Sequence, residues 1–84
     1  MALVITSDQM FISYYQYTGI DAQQRGMTAC LTVYDLRERW TTDITTKEYD
    51  ETMLQAAYSR LAERAQARRL DFSDVEEILR ETFA

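Results

Sequence analysis

Apolar residues in the second half of the chain recur at steps of three and four, the spacing of one face of an α-helix. Within residues 45–70 these positions are Leu54, Ala57, Tyr58, Leu61 and Ala65. No glycine or proline interrupts this stretch, and alanine, leucine, glutamate, glutamine and arginine, all good helix formers, dominate it. The pattern predicts one long helix over residues 45–70, whose roughly 24 residues in helical conformation give a length of about 36 Å at a rise of about 1.5 Å per residue.

Capping signals mark the expected starts of this helix and of a shorter one after it. Thr45 with Glu48, and Ser73 with Glu76, both fit the S/T-x-x-E capping box. Asp71 is a second candidate for the cap of the last helix. The apolar face of that helix consists of Val75, Ile78, Leu79 and Phe83.

Residues 10–17 are crowded with aromatic and aliphatic side chains and are harder to assign. A helix from about Ser7 to Thr18 would have Gly19 as its closing residue. The competing assignment is a strand, because tyrosine, phenylalanine and isoleucine favour sheets. We predict the helix and keep the strand as the alternative.

Residues 21–40 carry two overlapping patterns. One is a heptad-like apolar stripe made of Ala22, Gly26, Ala29, Val33, Leu36 and Trp40, which predicts a helix. The other is strict alternation of apolar residues, which predicts a β-hairpin with its turn near Leu36 and Arg37. Such a turn would lack every residue that tight hairpin turns prefer, so the helix is favoured.

The expected fold is therefore all-α, a single domain of three to four helices packed around the long central helix. The alternative is an α+β fold with an antiparallel hairpin in residues 9–46 followed by two helices. A hydrophobic content of 46% is typical of globular proteins. Because the central helix would be about as long as a domain of this size is wide, we also expect a homodimer.

The composition argues against most kinds of catalytic and metal-binding site. Histidine, the commonest general base and metal ligand, is absent, and the lone Cys30 lies on an apolar stretch that suggests core packing. No nucleophile motif, metal-ligand spacing or phosphate-binding glycine pattern occurs. We predict a protein that is not an enzyme, with no catalytic residue, cofactor or metal.

Charge and hydropathy limit the partners. The net charge of −5 disfavours nucleic acid, whose binding depends on Lys and Arg contacts to phosphate. No apolar run approaches the length of a membrane span, and no secretory leader pattern is present. The expected location is cytoplasmic, with no membrane contact.

Two surfaces are candidates for binding another protein. Arg60, Arg64 and Arg68 repeat every four residues and therefore share one helix face. Their stems would cover apolar surface, or their guanidinium groups would recognise an anionic partner. The second set of candidates lies beside the main apolar stripes of the predicted helices, with Met10 and Tyr17 on the first helix for a partner, and Tyr49 and Met53 on the long helix, where they favour the homodimer.

These patterns predict a non-enzymatic cytoplasmic binding protein that acts through protein–protein contact, as an inhibitor or regulator of a larger protein. One alternative is a nucleic-acid-binding regulator. Another is an acidic mimic that blocks a nucleic-acid-binding protein, because residues 71–81 contain five acidic side chains against one arginine.

Overall fold

The structure is a computed structural model that describes residues 2–67 and 70–84. It is an α+β fold in which a four-stranded antiparallel sheet carries two helices on one face, with a third helix inserted between strands. In chain order the elements are β1 (Ala2–Thr6), β2 (Met10–Gln16), α1 (Gly19–Arg25), β3 (Ala29–Asp35), β4 (Trp40–Thr45), α2 (Glu51–Gln66) and α3 (Phe72–Phe83).

The predicted all-α bundle is wrong, since 43% of the structure is helical and 31% is strand. The first predicted helix is β2. Its side chains alternate between the two faces of the sheet, so Met10, Ile12 and Tyr14 are buried while the residues between them point away from the core. The alternation of buried and exposed residues therefore identifies this segment as a strand.

The second predicted helix, over residues 21–40, is also wrong. Only the short α1 is helical there, and it ends at Arg25 because the next residue, Gly26, adopts the left-handed conformation with φ of 69°. β3 and β4 follow and form the hairpin of the competing assignment, with the turn over residues 36–39. The heptad-like stripe arose because Ala29 and Val33 are four residues apart, a spacing that places two residues on one face of a helix and also on one face of a strand. In the structure both lie on the buried face of β3.

The β3–β4 turn forms without the residues that such turns prefer because a buried aspartate organises it. Asp35 Oδ1 accepts the backbone N–H groups of Arg37 and Glu38, each at 2.9 Å. Arg39 then takes a positive φ of 53°, a conformation in which glycine or asparagine is usual. The hydrogen bonds of the Asp35 side chain therefore hold the turn in the absence of the residues that such turns prefer.

The strands follow one another across the sheet in the order β1-β2-β3-β4. α2 packs chiefly on β2 and β3, and α3 packs on α2. The core lies between the sheet and these helices, and it consists of Met10, Ile12, Tyr14, Ala29, Leu31, Val33, Leu54, Ala57, Leu61, Val75 and Ile78. The opposite side of the sheet has no helix across it in the described part of the chain, and we call it the open face.

The long helix predicted over residues 45–70 is shorter. Thr45 ends β4, and its hydroxyl accepts the N–H of Lys47 at 3.2 Å instead of capping a helix. α2 begins after Asp50, whose side chain makes no capping hydrogen bond, and it ends at Gln66. Leu70, the predicted end, is not helical, and residues 68 and 69 before it lie outside the described residues. A helix of 16 residues is about 24 Å long, against a longest dimension of 37 Å for the molecule. The length-based reason for expecting a homodimer therefore fails.

The last helix has the predicted apolar face. Val75 and Ile78 are buried, while Leu79 and Phe83 pack partly buried against the core. Its cap is Asp71 and not Ser73. Asp71 Oδ1 accepts the N–H of Asp74 at 3.0 Å, and Asp74 Oδ2 accepts the N–H of Asp71 at 3.3 Å.

α3 also contacts the sheet through its first residue. The ring of Phe72 meets the ring of Trp40, at the start of β4, edge-on, with centroids 5.3 Å apart and an interplanar angle of 78°. This T-shaped arrangement is favourable for aromatic pairs, so it fixes the beginning of α3 against the edge of the sheet.

Candidate protein-binding surface

The open face carries large apolar side chains that the described chain leaves in contact with water. Val4 is 53% exposed, Phe11 40%, Tyr15 43% and Tyr34 40%. They come from β1, β2 and β3, and all occupy the alternate positions that point away from α2 and α3. Three of the four are aromatic, so this face differs from an ordinary solvated sheet surface.

The register places the aromatic side chains of this face in two groups. Phe11 of β2 lies directly opposite Tyr34 of β3 at one end of the face. Tyr15 lies opposite Cys30 towards the other end. Cys30 is half-buried on this face and is not in the core as its apolar surroundings in the sequence suggested.

The second group continues beyond the end of β2. The Tyr15 and Tyr17 rings have centroids 4.7 Å apart. Arg25 of α1 places its guanidinium carbon 4.6 Å from the centroid of the Tyr17 ring, within the range of a cation–π contact. We call Phe11, Tyr15, Tyr17 and Tyr34 the aromatic strip.

Polar residues separate the two ends of the aromatic strip. Ser13 faces Thr32 across the β2–β3 pair, and Thr32 faces Asp43 across the β3–β4 pair. The Thr32 hydroxyl donates to Asp43 Oδ1 at 2.7 Å. A molecule lying on this face would meet aromatic rings at both ends and hydrogen-bonding groups between them.

The residues predicted to bind a partner are not brought together. Met10 is 1% exposed and belongs to the core, so we do not carry it into the proposed surface. Tyr49 is half-buried and its ring packs at an inclined angle against the ring of Phe83, with centroids 4.7 Å apart. Met53 is half-buried on α2. Tyr17 belongs to the aromatic strip on the far side of the sheet.

The predicted arginine face forms ion pairs within the chain. Arg60 contacts Glu81 Oε2 at 2.5 Å and Thr82 Oγ1 at 3.3 Å, and Arg64 contacts Asp74 Oδ1 at 2.8 Å. The Arg60 hydrogen bond holds the pKa of the Glu81 carboxyl below its ordinary value. Both arginines therefore join α2 to α3. Arg68, the third predicted member, lies outside the described residues.

The same contacts bear on the acidic stretch of residues 71–81. Asp74 and Glu81 each face an arginine of α2, and Glu76 lies 3.8 Å from Arg80 one turn away. Much of the negative charge of α3 is thus balanced locally, which reduces its resemblance to a nucleic-acid backbone.

A cavity of about 280 Å³ lies between the sheet and α2, lined by Leu3, Tyr14, Gln16, Gln55, Tyr58 and Ser59. Its polar groups bind one another. Gln16 Nε2 donates to Glu51 Oε1 at 2.8 Å, and Gln55 Nε2 donates to the Tyr14 hydroxyl at 3.3 Å. Burial raises the pKa of the Tyr58 phenol. We interpret this network as a structural link between the sheet and the start of α2.

Neither a metal-binding cluster nor a membrane-spanning helix is present among the described residues. No group of three or more Cys, Asp or Glu side chains is placed to hold a metal ion in residues 2–67 and 70–84. None of the helices within those ranges combines the length and apolar character needed to cross a bilayer.

Comparison with known proteins gives no relative for this chain. No family model, no curated protein and no solved structure matches it significantly.

Sequence reasoning missed Phe11, Tyr15 and Tyr34 because it placed both residues 10–17 and residues 21–40 on helices. On a helix Tyr17 lies near Met10, whereas in a strand Met10 and Tyr17 are on opposite faces. The signal for the aromatic strip was the alternation of Phe11, Ser13 and Tyr15 against the buried residues between them.

Proposed function

We propose that this chain is a non-enzymatic protein-binding module whose contact surface is the aromatic strip on the open face. Through this surface it would act as an inhibitor or regulator of a larger protein. The observation that carries the proposal is the exposure of Phe11, Tyr15 and Tyr34 together on one sheet face, while the helices cover the other face.

The physical basis is the cost of leaving aromatic rings in water. Burying apolar surface stabilises by about 25 cal/mol per Å², and an aromatic side chain buries about 150–250 Å². Tyrosine and phenylalanine are accordingly enriched in the centres of protein interfaces, where a few residues dominate the affinity. Asp43 and Thr32 between the rings would then contribute to specificity more than to affinity.

The expected partner is a protein that presents an apolar, weakly basic surface. Apolar groups on it would cover Phe11 and Tyr34, and a basic or hydrogen-bond-donating group would meet the Asp43 carboxylate. The net charge of −5 on this chain would also speed its encounter with a basic protein.

The test compares partner affinity for matched variants. Partners are captured from native lysate, identified by mass spectrometry and purified, and their affinities are measured by calorimetry. Phe11→Ser and Tyr34→Ser should each weaken binding about tenfold or more, the typical loss at an interface hot spot. Ile20→Ser, an exposed apolar residue on α1 outside the sheet, is the control and should bind like the parent chain.

Thermal melts of each variant show whether the fold survives the change. Folded variants that bind a purified partner as tightly as the parent chain would rule out the aromatic strip as the contact surface.

A second candidate function is binding of single-stranded nucleic acid. It is favoured by one observation, the exposed aromatic rings on a four-stranded sheet, because bases stack on such rings. The electrostatics oppose it. Nucleic-acid platforms combine stacking with a positive groove, whereas this face carries the negative carboxylate of Asp43. Arg25, a basic residue beside the face, already contacts the Tyr17 ring with its guanidinium group.

Fluorescence anisotropy with a labelled oligothymidine and an oligouridine separates the two functions. The protein-binding proposal expects no binding even at low ionic strength. Binding that weakens steeply with added salt and is lost in Phe11→Ser would favour nucleic acid instead.

A further inference from the structure

The exposed edge of the sheet at β1 is unusual for a protein that remains monomeric. β1 consists of Ala2, Leu3, Val4, Ile5 and Thr6, and among the described residues it pairs with β2 on one side and with no strand on the other. It contains no charge and no proline, the features with which natural edge strands prevent pairing. We propose that two copies of this chain pair through β1, in antiparallel orientation, to form a dimer with one continuous eight-stranded sheet.

The backbone of β1 determines which groups are available. The N–H of Ser7 donates to the carbonyl of Met10 at 2.9 Å across the β1–β2 turn. Hydrogen-bonded pairs alternate along an antiparallel ladder, so Leu3 and Ile5 direct their N–H and C=O groups towards β2. Those of Ala2, Val4 and Thr6 therefore point outward from the sheet.

These outward groups match themselves in one register. With Val4 opposite Val4 of the second copy, Ala2 lies opposite Thr6 of that copy, and every outward N–H and C=O of the strand gains a partner. The two-fold axis passes through the Val4 pair, so the contact is the same for both copies and closes after two.

The side chains agree with this register on both faces of the sheet. Side chains directly opposite one another share a face, so Val4 meets its own copy on the open face. Leu3 meets Ile5 of the second copy on the helix side. Leu3 and Val4 are now 43% and 53% exposed, and each would be covered by an apolar side chain.

Two cavities lie beside β1 on the helix side. The cavity of about 280 Å³ includes Leu3 in its lining, and a second, of about 250 Å³, is lined by Ile5, Thr6, Ser7, Ala65 and Leu70. They exist because α2 is centred over β2 and β3 and reaches β1 less fully. The Ile5 and Leu3 side chains of a second copy would project over these two cavities.

The other edge and the charges explain why assembly stops at a dimer. β4 carries Asp43 on its exposed side, and a charge on an edge strand discourages further pairing. Antiparallel pairing also puts the two Asp8 residues, each in a β1–β2 turn, at opposite ends of the joined strands. The net charge of −5 on each copy opposes association, so added salt should strengthen the dimer.

Mass and hydrogen exchange test the proposal together. Analytical ultracentrifugation should show a monomer–dimer equilibrium, and the amide protons of Val4 and Thr6 should become protected from exchange as the concentration rises. Val4→Lys places two like charges opposite each other, and Val4→Pro removes an outward N–H that β2 does not use. Each should raise the dissociation constant about tenfold or more.

Three controls make the result specific. Thr41→Lys adds the same charge to the open face at the opposite edge and should dimerise like the parent chain. Phe11→Ser tests dimerisation through the aromatic strip, and it should also dimerise normally. Circular dichroism establishes that each variant is folded.

A monomer mass at every concentration up to about 1 mM, the range of weak association, would overturn the proposal. So would a dimer that survives both Val4 variants, because it would use another surface. Loss of partner binding in Phe11→Ser with the dimer intact would separate this inference from the proposed function.

Discussion

Asp35 is the residue on which the hairpin of β3 and β4 most depends. It is fully buried, and its carboxylate accepts two turn N–H groups and, at 3.4 Å, a hydrogen bond from Gln9 Nε2 in the neighbouring β1–β2 turn. One side chain therefore holds two turns at the same end of the sheet. A hydrogen bond to a charged group contributes about 1.5–3 kcal/mol, more than an ordinary one.

We predict that Asp35→Ala lowers the free energy of unfolding by about 2–4 kcal/mol, because the turn N–H groups lose a shared acceptor. Asp35→Asn keeps one oxygen and should cost less. Urea titration followed by circular dichroism measures both. Asp43→Ala removes an exposed aspartate from the next strand and should cost below about 1 kcal/mol. Equal losses for Asp35→Ala and Asp43→Ala would contradict this role.

At the scale of elements, the sequence was informative for the helices after residue 50 and misleading before it. The apolar spacing of α3 and much of α2 appears in the structure as predicted. The sequence keeps the β3–β4 hairpin only as the alternative because the turn lacks favoured residues, and nothing local in the sequence reveals that Asp35 replaces them. Thr45 and Glu48 satisfied the capping pattern, but Ile44 pairs with Leu31 in the sheet and so keeps the chain extended through Thr45.

The two long helices differ in how they begin, and this gives an internally controlled prediction. Both have aspartate at the N-cap, but Asp71 accepts a backbone hydrogen bond and Asp50 does not. Asp71→Ala should therefore cost about 1–2 kcal/mol, and Asp50→Ala about half of that or less, from lost attraction to the helix dipole alone. Thermal unfolding of both variants checks the ranking, and a larger loss for Asp50→Ala would refute it.

At the scale of the whole molecule, the two faces of the sheet differ in how far the sequence predicts them. The core face follows from alternation once the strands are known. The aromatic strip could not be predicted from helical spacing, because it joins residues from β2 and β3 that only sheet register brings opposite each other. Of the predicted partner-binding residues that the structure describes, Tyr17 alone lies on this surface.

The ion pair of Arg60 with Glu81, which joins α2 to α3, makes the stability of the molecule depend on pH. Because Arg60 lowers the pKa of Glu81 in the folded state, the pair stabilises the fold above the unfolded value of about 4.5, and this is lost as the pH falls through the lower folded value. The difference in melting temperature between the parent chain and Glu81→Gln should therefore shrink from pH 7 to pH 3.

Glu48→Gln removes the same charge from an exposed acid in the turn before α2 and is the control for the change in net charge. A Glu81→Gln difference that stays constant over this range would mean that the ion pair does not contribute to stability.

The contact of Trp40 with Phe72 gives the molecule an optical reporter of its own assembly. Trp40 is the single tryptophan, and it is half-buried where α3 meets the sheet. Its emission therefore senses whether α3 is docked, whereas far-ultraviolet circular dichroism senses the secondary structure as a whole. If both signals change at the same urea concentration, helix docking and sheet formation are one cooperative event. An earlier fluorescence change would identify α3 as a unit that detaches while the sheet persists.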